Sequence, residues 1–325
     1  MTKLRTRVLL ILDIAAVLVL TCIYGPWQGF QNWFVTTALS TGSHRYLANI
    51  FYSDEMIEEI MDRNQALVIE DDSDADLVTF DSSEMYAVNS EYEAQITEHD
   101  RNQDYKVFEI SGVGYNGWVT VIYDPTRIHL VTSSSSSGAK VSTLASRYNA
   151  TVAVNGGGYT LGSREKTSSG GLLVDGEVMF ESWQTESLIT MNNEGKLILT
   201  YDSVENLAEK GETDWAVCFE PFLIVNGQQS VFNGNAGGQQ PRTAIGQRPD
   251  GIIILLTING RGADGSLGIN FSDMTEIFRR YGCINAANLD GGGSTALVIN
   301  NELINTPVGF NKTGERKVFD ALVFY

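Results

Sequence analysis

The chain has 325 residues, 43% of them hydrophobic, so it can bury a sizeable core in one or two domains. Its 40 acidic residues outnumber its 22 basic residues and give a net charge of −18. A surface this acidic repels the phosphates of nucleic acids, and we therefore exclude nucleic acid as a partner.

The first 24 residues predict a membrane anchor. Lys3, Arg5 and Arg7 precede an apolar stretch from Val8 to Tyr24, which is about long enough to cross a bilayer and contains one charge, Asp13. Basic flanks stay in the cytoplasm, so the rest of the chain is expected outside. A cleaved signal peptide is the alternative, but bulky aromatic residues follow the apolar stretch where small residues would be needed. We expect a single-pass protein of the cell membrane whose main domain is extracytoplasmic.

Residues 25–104 predict a stalk and an acidic linker. Met56, Ile60 and Met61 recur at helical spacing within this segment. The acidic stretch from Glu70 to Asp76 then has the composition of a solvated linker. The globular domain is therefore expected to cover 105–325.

From Tyr105 onwards, short apolar runs alternate with turn signals. Four dipeptides separate such runs and predict hairpins: Asn116-Gly117, Asp175-Gly176, Asn226-Gly227 and Asp250-Gly251. Helices are expected only near 141–148, 203–210 and 272–281. This pattern predicts a single strand-rich domain of α+β (mixed α/β) class.

Two runs of three glycines follow polar residues at the ends of predicted strands. Glycine has no Cβ, so a ligand can approach the backbone amides closely, and such amides can bind oxyanions. The binding candidates in "AVNGGGY" are Asn155, Gly156 and Gly157. Those in "NLDGGGS" are the residues that follow Asp290, namely Gly291, Gly292, Gly293 and Ser294.

A third element places a second acid just before the strand that leads to Asp290. In the predicted helix 272–281, the apolar residues form a buried stripe: Met274, Ile277, Phe278 and Tyr281. Glu276 lies on a different side of that helix. We expect Asp290 and Glu276 to converge, although Glu276 could instead pair with Arg280 on its own helix.

Three stretches in this order carry a resemblance to a known family. "PRTAIG", "GINFSDMTEIF" and "INAANLDGGGSTALVINNELI" are similar to motifs of the phosphodiester glycosidase family. The resemblance covers roughly Tyr105 to Tyr325 and is strongest from Pro241 to Asn305. It implies hydrolysis of a sugar-1-phosphate diester at the anomeric carbon of the sugar.

The residues suit that chemistry. A phosphate monoester is a good leaving group, so the site must mainly stabilise an oxocarbenium-like centre, supply a nucleophile and hold the phosphate. Asp290 is the expected catalytic carboxylate, Glu276 the second acid or base, and Arg242 the phosphate-binding residue. Each also has a structural alternative: Asp290 could brace its own turn, and Arg242 could form a structural ion pair.

Two other functions stay open at this stage. A metal-dependent phosphodiesterase would normally gather histidines and carboxylates, but the only histidines, His44, His99 and His129, belong to no motif. No cofactor is predicted with certainty, and an all-carboxylate Ca²⁺ or Mg²⁺ site is left open. A non-enzymatic module that binds or assembles polysaccharide is the other alternative. The expected partners are a phosphodiester-linked glycan and the membrane.

Overall fold

A computed structural model describes residues 2–41, 44–80, 90–98, 103–160, 167–309 and 314–325. The chain divides into two compact units. The first comprises Met1–Ala66 with Phe232–Gln239, and the second comprises Leu67–Val231 with Gln240–Tyr325.

The second unit is rich in strands, and the first is mostly helical. The α-helices are α1 (Thr2–Tyr24), α2 (Gln28–Leu39), α3 (Tyr46–Phe51), α4 (Asp54–Arg63), α5 (Glu91–Thr97), α6 (Val141–Arg147), α7 (Val204–Lys210) and α8 (Phe271–Arg280). The strands are β1 (Ala66–Leu67), β2 (Tyr105–Gly112), β3 (Tyr115–Ile122), β4 (Ile128–Thr132), β5 (Val152–Asn155), β6 (Leu172–Val174), β7 (Glu177–Phe180), β8 (Glu186–Asn192), β9 (Leu197–Asp202), β10 (Thr213–Cys218), β11 (Phe222–Val225), β12 (Gln228–Gln229), β13 (Val231–Phe232), β14 (Arg242–Gln247), β15 (Ile253–Ile258), β16 (Asn285–Asn288), β17 (Leu297–Ile299), β18 (Glu302–Leu303) and β19 (Asp320–Phe324). The α+β class is therefore confirmed.

In the first unit, α1 contains one stretch, Arg7–Tyr24, that is long and apolar enough to cross a membrane. Helices α2 to α4 pack around a small hydrophobic cluster that includes Val35, Ala48 and Tyr52. Burial of these side chains packs the helices of residues 28–63 against one another, within the segment for which the sequence predicted a stalk.

The acidic segment predicted as a linker belongs to the second unit. Ser73 exchanges hydrogen bonds with the backbone of Leu199, its N–H donating to the carbonyl and its Oγ accepting from the amide, both at 2.8 Å. Asp72 accepts from the amide of Tyr201 at 3.0 Å. These contacts cover the free edge of β9, which would otherwise expose unpaired backbone groups. In the structure this segment therefore belongs to the second compact unit, which includes Leu67–Val231.

Three sheets share the core of the second unit. Their strand orders are β7-β6-β10-β8-β9, β12-β11-β16-β14-β15-β3-β2 and β18-β17-β5-β19-β4. Trp215, Ile245 and Leu322, one from each sheet, are buried in the same hydrophobic cluster. Burying side chains of this size contributes about 1.5–3 kcal/mol each.

Three of the four predicted hairpin dipeptides lie in hairpin loops, after β6, β11 and β14. The prediction for Asn116-Gly117 was wrong, because the β2–β3 turn is Val113-Gly114 and Asn116-Gly117 lies inside β3. At Gly117 a Cβ would collide with the carbonyl of Thr257 on β15. Glycine is required there by the close approach of a neighbouring strand.

Helix α8 confirms the predicted helix and its buried stripe. Met274, Ile277, Phe278 and Tyr281 are each at most 4% exposed. A Cβ on Gly246 would lie 2.7 Å from the Phe278 ring, so glycine on β14 lets α8 pack directly onto the sheet.

Antiparallel pairing brings four strand ends together. The end of β5 lies beside the start of β19, since Asn155 pairs with Ala321. The end of β16 lies beside the start of β14, since Asn288 pairs with Ala244. The segment that leaves β16 joins the two sheets, because the amide of Asp290 donates to the carbonyl of Gly156 at 3.1 Å.

Candidate active site

Asp290 lies at the meeting point of these strand ends. Its Oδ1 accepts a hydrogen bond from the amide of Gly291 at 2.8 Å, and its side chain is partly exposed. Burial among protein groups raises the pKa of Asp290 to about 6, against the lowering effect of Ser294, Gly291, Arg316 and Arg242. This carboxyl is therefore mostly ionised at neutral pH and surrounded by cations.

Three arginines lie against the glycines of the second glycine turn, which we define as Asp290–Ser294. A Cβ on Gly292 would lie 2.9 Å from Nη2 of Arg261, and one on Gly293 would lie 2.6 Å from Nη2 of Arg316. At Gly291 it would lie 3.7 Å from Cδ of Arg242. The absent side chains therefore leave room for guanidinium groups beside Asp290.

Arg242, the predicted phosphate-binding residue, opens β14 and is 8% exposed. Its guanidinium carbon lies 4.3 Å from the centre of the Phe271 ring on α8, a favourable cation–π contact. Burial lowers the pKa of Arg242 to about 10, the nearby charge of Arg261 acts in the same direction, and Asp290 opposes both. A phosphate would relieve this crowding of positive charge.

Arg261 is held in place from two sides. Its Nε and Nη2 donate to Oε1 of Gln240 at 3.2 and 3.1 Å, and its Nη1 donates to the carbonyl of Val308 at 3.0 Å. Its backbone has a φ of 57°, a conformation that is costly for a residue with a Cβ. Arg316 completes the group, because its charge acts on both Asp290 and Arg261. We call Arg242, Arg261 and Arg316 the arginine cluster.

A second acid lies close to Asp290, and it is Asp320. It opens β19 and is 1% exposed, and its Oδ1 accepts from the amide of Gly157 at 2.7 Å. Among the residues that the structure describes, none hydrogen-bonds to its buried Oδ2. Burial raises the pKa of Asp320 to about 7, with a further raising effect from the charge of Asp290.

In the first glycine turn, Asn155–Gly158, the glycine amides already donate hydrogen bonds within the protein. The amide of Gly156 donates to the Asp320 carbonyl and that of Gly158 to the Cys218 carbonyl, both at 3.4 Å. Since the Gly157 amide also bonds Asp320, the anion-binding role predicted for Gly156 and Gly157 is not supported. A Cβ on Gly156 would collide with Asp320, so this turn is shaped to hold that carboxyl.

Asn155 and Ser294 support the site from its buried side. Asn155 donates to the Asp290 carbonyl, and its Oδ1 accepts from the Thr243 hydroxyl at 2.7 Å and the Ala296 amide at 3.2 Å. Ser294 Oγ lies 3.1 Å from Tyr159 Oη. Both Asn155 and Ser294 are 1% exposed, so they position Asp290 and the turn, where the sequence predicted substrate contact.

The amides of the second glycine turn are also partly occupied. Gly291 donates to Asp290, and Gly292 donates to the Pro241 carbonyl at 2.8 Å. The amides of Gly291 and Gly292 are therefore already hydrogen-bonded, and arginine side chains lie beside the three glycines.

Glu276 is not part of this cluster. Its carboxylate accepts from Arg279 Nε at 2.7 Å and from Arg280 Nε at 2.9 Å, on the surface of α8. The hydrogen bond from Arg279, together with Arg280, lowers the pKa of Glu276 to about 2. The charges that act on Asp290 include those of Arg316 and Arg242, and the acid that lies near Asp290 is Asp320.

Asp320, Arg316 and Tyr159 were missed by the sequence analysis. Asp320 opens an apolar strand in "VFDALVFY", which is the same signal, an acid at the end of a buried strand, that marked Asp290. Arg316 lies four residues earlier and gave no comparable signal. Among the described residues, no group of three or more His, Cys, Asp or Glu side chains could hold a metal ion.

The arrangement combines an ionised acid, a second buried acid and three guanidinium groups at one turn. Guanidinium groups bind phosphate oxygens through paired donors, and a carboxylate can attack or stabilise a cationic carbon. The residues 148–325, more than half of the chain, match the family model described as phosphodiester glycosidase. The chain belongs to the phosphodiester glycosidase family.

Two relatives illustrate this membership. N-acetylglucosamine-1-phosphodiester alpha-N-acetylglucosaminidase of Mus musculus is 24% identical over 227 residues, which cover 62% of this chain and 43% of the mouse protein. The SPbeta prophage-derived protein YomE of Bacillus subtilis is 43% identical over 84 residues, or 26% of this chain and 12% of YomE. The chain thus spans less than half the length of the relatives it matches.

A solved structure shares the fold. The catalytic domain of the zebrafish N-acetylglucosamine-1-phosphodiester alpha-N-acetylglucosaminidase, described as auto-inhibited by its pro-peptide, superimposes with a TM-score of 0.59 at 20% identity. The match covers 70% of this chain and 85% of the zebrafish domain.

Proposed function

We propose that this protein is a membrane-anchored extracytoplasmic hydrolase. Its reaction is cleavage of the glycosidic C1–O bond of sugar-1-phosphodiesters in cell-surface or exopolysaccharide glycans. The observation that carries this proposal is the arginine cluster, which lies over the second glycine turn and surrounds Asp290.

The change in charge during the reaction supports the assignment. A phosphodiester carries one negative charge, and breaking its C1–O bond gives the departing phosphate a second one. Three guanidinium groups attract the departing phosphate more strongly than the intact diester, so they lower the barrier for this bond cleavage. They also reduce the need for a general acid to protonate the leaving group.

Asp290 supplies the remaining requirement. Cleavage leaves positive charge on the anomeric carbon, and an adjacent ionised carboxylate can stabilise that charge or attack the carbon. Asp320 is almost fully buried, so we assign it a positioning role through Gly157 and the first glycine turn. Water completes the hydrolysis and releases the free sugar.

Helix α1 supports the membrane location. Its apolar side chains are open to the surroundings, with only 6% of Arg7–Tyr24 buried. In water this surface would be unfavourable, whereas in a bilayer it is matched by lipid. Lys3, Arg5 and Arg7 favour a cytoplasmic N-terminus.

The test is to incubate the full chain, purified in detergent micelles, with a panel of sugar-1-phosphodiesters in ¹⁸O-labelled water. Cleavage at C1–O leaves the released phosphate monoester free of ¹⁸O, whereas attack at phosphorus places the label in the phosphate. Labelled phosphate would overturn the proposal and favour the phosphodiesterase alternative. A parallel assay with a chelator shows whether the activity needs a divalent cation.

Topology is tested separately on intact cells. Protease added outside should digest the second unit while leaving the N-terminal residues protected. Full protection of the second unit in intact, but not lysed, cells would place it in the cytoplasm and contradict the anchored arrangement.

A further inference from the structure

A cavity of about 500 Å³ lies at the rim of the seven-stranded sheet, outside the catalytic cluster. The side chains that line it include those of Glu109, Ser111, Asn116, Trp118, Asn259 and Asp264. Its volume is in the usual range of small-molecule sites, and its lining is mostly polar with one half-buried aromatic ring, Trp118. Nothing in the reaction proposed above uses these residues.

The cavity and the catalytic cluster lie at the same end of the sheet, two strands apart. Trp118 on β3 pairs with Thr257 on β15, which pairs with Thr243 on β14. Directly paired residues project to the same face, and adjacent strands are about 4.8 Å apart, so Trp118 and Thr243 lie about 10 Å apart. Thr243 bonds Asn155, which in turn bonds the Asp290 carbonyl. Thr257 and Thr243 are buried, so one or two pyranose rings would span this distance over the end of the sheet, beside the turn that carries Arg261 and Asp264.

The polar wall of the cavity is already ordered. Asn259, which is 1% exposed, donates to Asn116 Oδ1 at 3.0 Å and to Asp264 Oδ2 at 3.3 Å. Thr306 Oγ1 also donates to Asp264 at 2.8 Å. Asp264 lies on the same tight turn as Arg261, so one turn presents a cation to the catalytic cluster and an acid to the cavity.

Other polar groups in the cavity are available to a ligand. Within the described part of the chain, no residue hydrogen-bonds to the Glu109 carboxylate, the Ser111 hydroxyl or the Trp118 indole N–H. A sugar ring matches this set, because its apolar face stacks on an aromatic ring while its hydroxyl groups bond acceptors and donors at the edge. The two carboxylates, Glu109 and Asp264, repel phosphates and uronates, so the ring must be uncharged or cationic.

We propose that this cavity is a saccharide subsite, which binds further uncharged pyranose units of the substrate beyond the phosphodiester. The inference rests on the proposed function in one respect, namely that the reacting diester occupies the arginine cluster. It defines the substrate class more narrowly, as an oligosaccharide or polysaccharide diester.

The experiment compares diesters of one sugar-1-phosphate that carry either a methyl group or a neutral trisaccharide. The full chain in micelles should show a kcat/KM at least tenfold higher for the trisaccharide diester. Glu109→Gln and Trp118→Leu should bring the ratio of the two values close to one. Glu177→Gln, an exposed acid on β7 in another sheet, is the matched control and should keep the wild-type ratio. Equal kcat/KM values for both diesters in the wild type would overturn the subsite.

A binding measurement separates this inference from the reaction. Chitotriose, maltotriose and mannotriose, which lack phosphate, are titrated into wild type, Glu109→Gln and Glu177→Gln by calorimetry. Binding by at least one trisaccharide that weakens at least fivefold in Glu109→Gln supports the subsite even if no diester is hydrolysed, an outcome that would overturn the proposed function alone. No binding of any of the three, with no preference for the longer diester, would overturn the subsite while leaving the function intact.

Discussion

The first and second glycine turns have nearly the same sequence, a polar residue and three glycines, but different roles. In the first turn the amides and the space beside the glycines are taken by the protein, chiefly by Asp320. In the second turn the space is taken by the guanidinium groups of Arg261 and Arg316. A run of glycines at a strand end therefore signals close approach, and only the structure shows which group approaches.

The largest expected effect comes from the acid of the second turn. Asp290→Asn keeps the shape of the side chain but removes its charge, so kcat should fall by about a hundredfold or more, roughly 3 kcal/mol of barrier. The melting temperature should change little, because the amide can keep the local hydrogen bonds. A stable variant with near-normal kcat would show that Asp290 only braces the turn.

A pair of alanine substitutions tests the contrast between the turns directly. In Gly293→Ala the added methyl group would collide with the guanidinium group of Arg316 and displace it from the site. The value of kcat/KM should therefore fall about tenfold, with little loss of stability. Gly156→Ala forces the buried Asp320 to move, so the free energy of unfolding should fall by about 1–3 kcal/mol, as in other overpacked sites. Urea unfolding and steady-state kinetics of both variants give the comparison. If both variants lost stability equally while keeping kcat/KM, the two turns would have the same structural role.

The dependence of stability on pH tests the acid held by the first turn. The pKa of Asp320 is raised in the folded protein to about 7 from an ordinary value of 3.8, so the folded state binds its proton more tightly than the unfolded state. The stability from this proton is full below about pH 4 and is lost as the pH rises through about 7. Asp320→Asn has no carboxyl group to titrate at this position, so it does not lose this stability as the pH rises. Between pH 4 and pH 8 the free energy of unfolding of the variant, minus that of wild type, should therefore increase. Urea titrations at several pH values check this, and a constant difference would contradict the raised pKa.

The smallest effect is expected on α8. Glu276→Gln removes two surface ion pairs, which contribute at most about 1 kcal/mol, and should leave kcat within about twofold of wild type. Assays on the same phosphodiester panel measure it. A fall in kcat comparable to that of Asp290→Asn would restore Glu276 as a catalytic acid.

The sequence predicted the fold class, α8 with its buried stripe and three of the four hairpins. These features depend on local periodicity and turn chemistry, which a single sequence carries. The prediction for the Asn116-Gly117 turn was wrong because the position depends on a distant strand, β15, which lies close to Gly117. The contacts of the acidic segment with β9 likewise depend on a strand that is far away in the sequence.

The sequence predicted only part of the candidate site, again because strands that are distant in the sequence bring some of its residues together. Asp290 was named from its position at a strand end and Arg242 from the suitability of its guanidinium group for binding phosphate, and the structure brings them together. The second acid was sought at Glu276, the nearest one in sequence, but antiparallel pairing of β5 with β19 brings Asp320 to the site from the C-terminal end of the chain. The pairing register between strands that are distant in the sequence determines which acid reaches the site, and no local sequence pattern specifies that register.

The arginine cluster also has a consequence for the end of the reaction cycle. Groups that stabilise a departing phosphate hold it just as firmly once it has left, so product release becomes a candidate for the slow step of turnover. The phosphate monoester product should then compete with substrate, and raising the salt concentration should weaken that inhibition by screening the charges of the partly exposed Arg261 and Arg316. For the reaction proposed above, the ionic strength of the surroundings would thereby change the rate of turnover.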